Sequence, residues 1–241
     1  MNKEGKYKVV IFDLGETLIE YVNVPLSWKN LYPEIFNRIN EYNMLGLSEH
    51  QIEKICCNLE KYNTRINPRE KEFSAEYIFF NILEEFRIYD DIITQKIIPQ
   101  FFNFFQQKRK TYPETEEVLK TLKENGLKTA IFTDVPYGMP DEFVFEDIKS
   151  FASYIDKVVT SVSAGFRKPN PAGLEMICDH FPADKNEIIY VGNEEKDIIV
   201  CKNIGCKSVL INREETPKNF GEDYQFKTLT ELTNLIIKSF I

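Results

Sequence analysis

Short apolar runs that stop abruptly at a polar residue, with helix-forming stretches between them, restrict this chain's fold more than any other feature. Residues 8–12 are mostly β-branched or aromatic and end at Asp13, with Gly15 two positions on. Residues 129–133, 158–161, 188–192 and 208–211 repeat the pattern. Runs this short and this apolar read as strands buried on both faces. Helical patterns lie between and after them, at 171–181, 196–204 and 230–240. Such alternation specifies an α/β fold: a doubly wound parallel sheet covered by helices on both sides.

One stretch breaks the alternation. From residue 27 to about 109 only helical spacing recurs: Leu31, Ile35 and Ile39, then a capping box of Ser48 and Gln51 ahead of Ile52, Ile55 and Leu59. Ser74 caps a third helix bearing Tyr77, Ile78, Ile82 and Phe86, and Asp90 opens a fourth that Pro99 kinks. The sheet pattern resumes after Pro113, read as the first position of a helix that Gly126 stops. A chain of 241 residues, at roughly 100–200 per domain, is then one core, residues 1–20 and 110–241, with an all-helical segment, residues 21–109, inserted as a lid.

Charge and cysteine content narrow the partners. Acids outnumber bases 38 to 30, for a formal net charge of -8, which repels nucleic acid and anionic lipid. No signal peptide is expected from the charged start at residues 1–7, and no window has the ~20 apolar residues of a membrane span. Five cysteines without a C-x-x-C pair argue against a disulfide framework and a zinc site, and point to a reducing cytoplasm.

In an open α/β sheet, ligands bind beyond the carboxyl ends of the strands. Four motifs sit there: Asp13 with Gly15, Glu16 and Thr17; Thr133 with Asp134; Arg167-Lys168-Pro169 ahead of a helix; and Gly192-Asn193 with Asp197 four residues on. An acid, a hydroxyl, a lysine and a second acid, in that order, suit chemistry in which a carboxylate attacks phosphorus to give an acyl phosphate that water then splits. The set resembles haloacid dehalogenase superfamily hydrolases with a helical cap inserted after the first motif, over essentially the whole length. Each motif alone is weak, and four in register are specific.

The resemblance implies a Rossmann-like core and a Mg²⁺-dependent hydrolase of a small phosphorylated metabolite. It makes Asp13 the nucleophile, Thr133 the phosphate-orienting hydroxyl and Lys168 the charge-neutralising lysine; Asp134 itself reads as a turn cap whose N–H faces the substrate phosphate. Asp13, the Gly15 carbonyl, Asn193 and Asp197 become the metal ligands. Two positions depart from the pattern. Gly15 stands where phosphatases of the family usually carry an acid–base aspartate, help typically worth 10²–10⁴-fold, so either Glu16 turns inward to replace it or Glu16 is an exposed loop residue. Asn193 replaces an aspartate and removes one negative charge, which predicts weak metal affinity. Both departures keep two alternatives open: a metal-independent dehalogenase that also uses Asp13, and a binding protein that has lost turnover.

Other residues read as structural. Arg167 is expected to be solvated, as are Arg65, Arg69 and Lys71 in the loop at 63–73, which would otherwise reach over the site. Trp28 and Phe101, Phe102, Phe104 and Phe105 read as packing. The segment 135–140 either lines the substrate or is only a turn. His50 and His180 lack an acid or serine partner in sequence, and no phosphate-cradling glycine motif occurs. Substrate identity and oligomeric state are left open.

Overall fold

The computed structural model describes residues 7–238. Strand β1 (Val9–Phe12) leads through the Asp13 turn to a short strand β2 (Ile19–Tyr21). The chain then builds α1 (Tyr32–Asn43), α2 (Glu49–Glu60), α3 (Ala75–Leu83), α4 (Asp90–Ile92) and α5 (Ile98–Gln106). It returns by β3 (Arg109–Thr111), which pairs antiparallel with β2, Ile19 opposite Thr111 and Tyr21 opposite Arg109. This two-stranded ribbon is where the helical insertion leaves and rejoins the core.

The core continues as α6 (Thr115–Glu124), β4 (Lys128–Thr133), α7 (Asp141–Asp147), β5 (Lys157–Thr160), α8 (Ser161–Ala164), α9 (Ala172–Cys178), β6 (Ile188–Gly192), α10 (Glu195–Ile204), β7 (Lys207–Ile211), β8 (Tyr224–Phe226) and α11 (Leu229–Lys238). Six strands form one parallel sheet in the order β5-β4-β1-β6-β7-β8. With β1 and β6 central, the acids that follow them are brought to one rim.

Alternate residues of each central strand face opposite layers, as the two-residue period requires. Val10 and Phe12 of β1 join Ile189 and Val191 of β6 in one apolar cluster, while Val9 and Ile11 join Ile188 and Tyr190 in the other. The first cluster runs without a break into the helical insertion. Trp28 stacks on Phe105 with ring centroids 3.7 Å apart, Phe101 meets Tyr137 edge-on at 5.7 Å, and Phe102 packs on Phe143 at 5.3 Å. The aromatic run of α5 is therefore the cement between insertion and core, and truncating one such ring costs about 3–5 kcal/mol.

The expected caps are present: Ser48 and Gln51 form a capping box, and Ser74 accepts from the Tyr77 N–H at 3.2 Å. Ahead of Pro99, which has no N–H to donate, the helix widens into a π-helical stretch, Ile93–Ile97. Pro113 precedes the helix it was expected to start, because α6 begins at Thr115. Strands β2, β3 and β8 went unseen, since three residues each, charged in β3, make no apolar run. The last helix is described as far as Lys238, so the end expected for it at residue 240 lies outside the described residues. Among the described residues no helix is long and apolar enough to cross a membrane.

Candidate active site

Asp13 directly follows β1, and its N–H continues the ladder to the Val191 carbonyl at 2.8 Å. Its Oδ1 accepts from the Lys168 ammonium at 2.7 Å. The same ammonium donates to Asp197 Oδ1 at 2.6 Å and to the Tyr190 hydroxyl at 2.8 Å, and its side chain is inaccessible to solvent. Burial alone favours the neutral amine, yet Asp13 and Asp197 hold it protonated, well above its ordinary range. Burial pushes the Asp13 carboxyl up to about 6, against the pull of Lys168. The structure thus brings Asp13, Lys168 and Asp197, from three separate motifs, onto one ammonium.

Asp197 is fixed from its other side. Its Oδ2 accepts the N–H groups of Asn193 at 3.0 Å and Glu194 at 2.9 Å. Gly192 makes this possible: a Cβ there would lie 2.4 Å from that carboxyl group. Tyr190 was missed in sequence, although a tyrosine in an otherwise aliphatic strand was a usable signal; its hydroxyl also donates to the Phe132 carbonyl at 3.0 Å.

Asp134 is equally committed. Its oxygens accept from the Lys168 N–H and the Lys196 ammonium, both at 2.9 Å. Burial pushes its pKa up, but Lys196, Arg167 and Lys168 outweigh it and hold the acid at about 2. Its carboxylate ties two loops together. Arg167 is not solvated as expected: it is buried, ion-paired with Glu72 of the insertion, and donates to the Val135 carbonyl at 2.7 Å. Glu72 also accepts from Ser161 at 2.6 Å and from Arg69 at 3.2 Å. The main chain follows suit, with Arg167 N–H on the Glu70 carbonyl and Glu72 N–H on the Gly165 carbonyl.

A cavity of about 130 Å³ opens beside Asp13. Gly15, Glu16, Thr133 and Asp134 wall it near Asp13, and Val135, Pro136, Tyr137 and Met139 line it, so the segment after Thr133 is more than a turn. Arg65 also reaches the cavity and pairs with Glu194, whereas Arg69 serves the Glu72 network. Glu16 is half-buried, which raises its pKa, and accepts from the Tyr112 hydroxyl at 3.1 Å.

Mg²⁺ takes oxygen ligands, usually waters with one or two carboxylates. Both Asp197 oxygens are already bound by protein donors, and Asn193 Oδ1 accepts from the Thr17 hydroxyl at 3.4 Å. Among the described residues no group of three or more His, Cys, Asp or Glu side chains is arranged to hold a metal ion. Of the expected ligands, Asp197 is thus engaged by protein donors, whereas the second oxygen of Asp13, beside Gly15 at the cavity wall, has no donor among the described residues. Asp13 and the Gly15 carbonyl are therefore the groups that would hold Mg²⁺, with Lys168 supplying positive charge at the other Asp13 oxygen.

Residues 7–205 match the family model described as haloacid dehalogenase-like hydrolase. The chain belongs to this family. It is 28% identical over 149 residues to a phosphoglycolate phosphatase of Vibrio vulnificus, covering 58% of this chain and 64% of that protein. It is 30% identical over 131 residues to pyrophosphatase PpaX of Halalkalibacterium halodurans, covering 52% and 59%. The hydrolase thus spans about three fifths of the length of these curated relatives. Its fold is that of a solved 2-haloacid dehalogenase from Pseudomonas syringae, with a TM-score of 0.69 at 18% identity over 96% of this chain and 99% of that one.

Proposed function

We propose that this hydrolase cleaves a small phosphoric monoester through Asp13. The observation that carries the reading is the Lys168 ammonium held 2.7 Å from Asp13 at the wall of a cavity. Asp13 Oδ2 attacks phosphorus, the bond from phosphorus to the alcohol oxygen breaks, and an acyl phosphate forms. Lys168 offsets charge at the attacking end and Thr133 orients the phosphoryl group. Glu16, whose carboxyl is held protonated more readily by burial, gives its proton to the departing oxygen. It then takes one from the water that attacks phosphorus, releasing inorganic phosphate and restoring Asp13. The helical insertion acts as the cap that keeps bulk water out. The phosphatase relatives support this reading.

Phosphate release from p-nitrophenyl phosphate tests it, with and without Mg²⁺ and a chelator. Asp13→Asn is expected to lose at least about 10³-fold in kcat; a variant that keeps its rate overturns the proposal. A second reading, metal-independent dehalogenation by the same Asp13, is favoured by the protein donors on both Asp197 oxygens and by the uncharged Asn193. It is recognised by chloride release from 2-chloropropionate that a chelator leaves unchanged.

A further inference from the structure

The cavity has two chemically different ends. At the Asp13 end the wall carries three cations, and each is already neutralised: Arg65 by Glu194, Lys196 by Asp134 and Glu194, Arg167 by Glu72. Away from Asp13 the lining is largely aromatic and aliphatic, with Ser27, Asn63 and Thr64 as its uncharged polar members. Trp28 faces Tyr21 at 6.1 Å and Tyr137 at 5.8 Å between ring centroids, and Met139 and Val144 complete the wall. The charged group there is an acid, Asp147, whose oxygens are taken by Tyr21, Gln106 and Arg109. The backbone bears strain to build this arrangement. Of six non-glycine described residues in the left-handed region, three wall the cavity: Glu16 at φ 57°, Trp28 at 58° and Tyr137 at 50°. Bulky residues rarely adopt that conformation, and where they do it commonly serves a site.

A carboxylate or a second phosphate entering the far end would lose its water, meet Asp147 and find no unpaired cation among the described lining residues. An apolar group would gain by burial against Trp28 and Tyr137. The volume of the whole cavity, about 130 Å³ with the Asp13 end included, is no more than the roughly 150 Å³ that holds one benzene ring, so whatever accompanies the phosphoryl group is small. We infer that the alcohol carried by the substrate is a compact, largely apolar group, a short alkyl chain or a single ring, and not an acid. The inference rests on the reading of Asp13 as the phosphoryl acceptor, and it separates this cavity from one built for phosphoglycolate.

Trp28 is the chain's single tryptophan, so the wild-type enzyme reports on its own pocket. Benzylphosphonate and 3-phosphonopropionate mimic phenyl phosphate and phosphoglycolate without being hydrolysed. Titrated against Trp28 fluorescence, benzylphosphonate is expected to bind at least about tenfold tighter. Equal binding, a preference for 3-phosphonopropionate, or no response to either overturns the inference. Leu26 also lines the cavity and is 59% exposed, so Leu26→Lys adds a cation with little risk to folding. It is expected to narrow the preference several-fold, and an unchanged ratio counts against the pocket. Hydrolysis is scored separately. Preferential benzylphosphonate binding without phosphate release from phenyl phosphate sinks the proposed activity and leaves the pocket standing. Faster release from phosphoglycolate than from phenyl phosphate does the reverse.

Discussion

Arg65 and Glu194 pair across the Asp13 cavity, one from the loop between α2 and α3 and the other from the turn that opens α10. The Arg65 side chain is 41% exposed, so the pair contributes at most about 1 kcal/mol to stability. Its importance is positional, since it ties the insertion to the core at the wall of the cavity. Arg65→Ala is expected to leave the unfolding midpoint nearly unchanged and to raise KM several-fold with a smaller change in kcat. Equal losses in stability and turnover would show that the pair is a structural strut.

Gly192 and Asp197 form a tighter relationship. The carboxyl group that a Gly192 Cβ would meet at 2.4 Å is held by Lys168, Tyr190 and two main-chain N–H groups, and has no room to move. Gly192→Ala therefore forces the α10 turn outward. Overpacking of this kind costs about 1–3 kcal/mol, and a displaced Asp197 releases its hold on Lys168. Chemical denaturation should show the loss, accompanied by a fall in kcat. A variant of wild-type stability and rate would mean that the turn adapts freely.

As the proposed general acid, Glu16 would distinguish substrates by how well their alcohols leave. An aryl oxide departs without help, whereas an alkoxide needs a proton, and general acid catalysis typically supplies 10²–10⁴-fold. Glu16→Gln should therefore slow alkyl phosphate hydrolysis by about that factor and p-nitrophenyl phosphate hydrolysis far less. A uniform loss on both substrates would assign Glu16 to packing beside Tyr112.

Much of this arrangement was legible because strand ends follow from local pattern. Asp13, Thr133, Lys168 and Asp197 each sit where an apolar run stops or a helix begins, and parallel α/β topology carries such positions to one rim. Arg167 was misread because its partner Glu72 lies 95 residues away in a loop without periodicity. Trp28 reads as packing and does pack on Phe105 and Phe101, yet two further contacts, with Tyr21 and Tyr137, wall the cavity. Sequence spacing reports which residues are buried. It does not report whether a buried face meets protein or an enclosed space.

Two acids in the site sit on opposite sides of their ordinary range, which separates activity from stability along the pH axis. Burial lifts Asp13 to about 6, and in the proposed reaction only its ionised form attacks phosphorus. The ratio kcat/KM should therefore fall as pH drops through about 6, approaching tenfold per unit. Ionising Asp13 also costs folding free energy, so its own linkage favours the fold below that pH. Asp134, held at about 2 by Lys196, Arg167 and Lys168 despite burial, acts in the opposite sense. Its stabilisation is complete above about pH 4 and is lost as pH falls toward 2, an amount on the order of 2 kcal/mol. At about pH 5 the hydrolase should be folded and slow. Parallel profiles of kcat/KM and of the denaturation midpoint check both limbs. Asp134→Asn is expected to flatten the acid limb of stability while the inflection in activity stays near 6, and full activity at about pH 5 would show that Asp13 ionisation does not govern the rate.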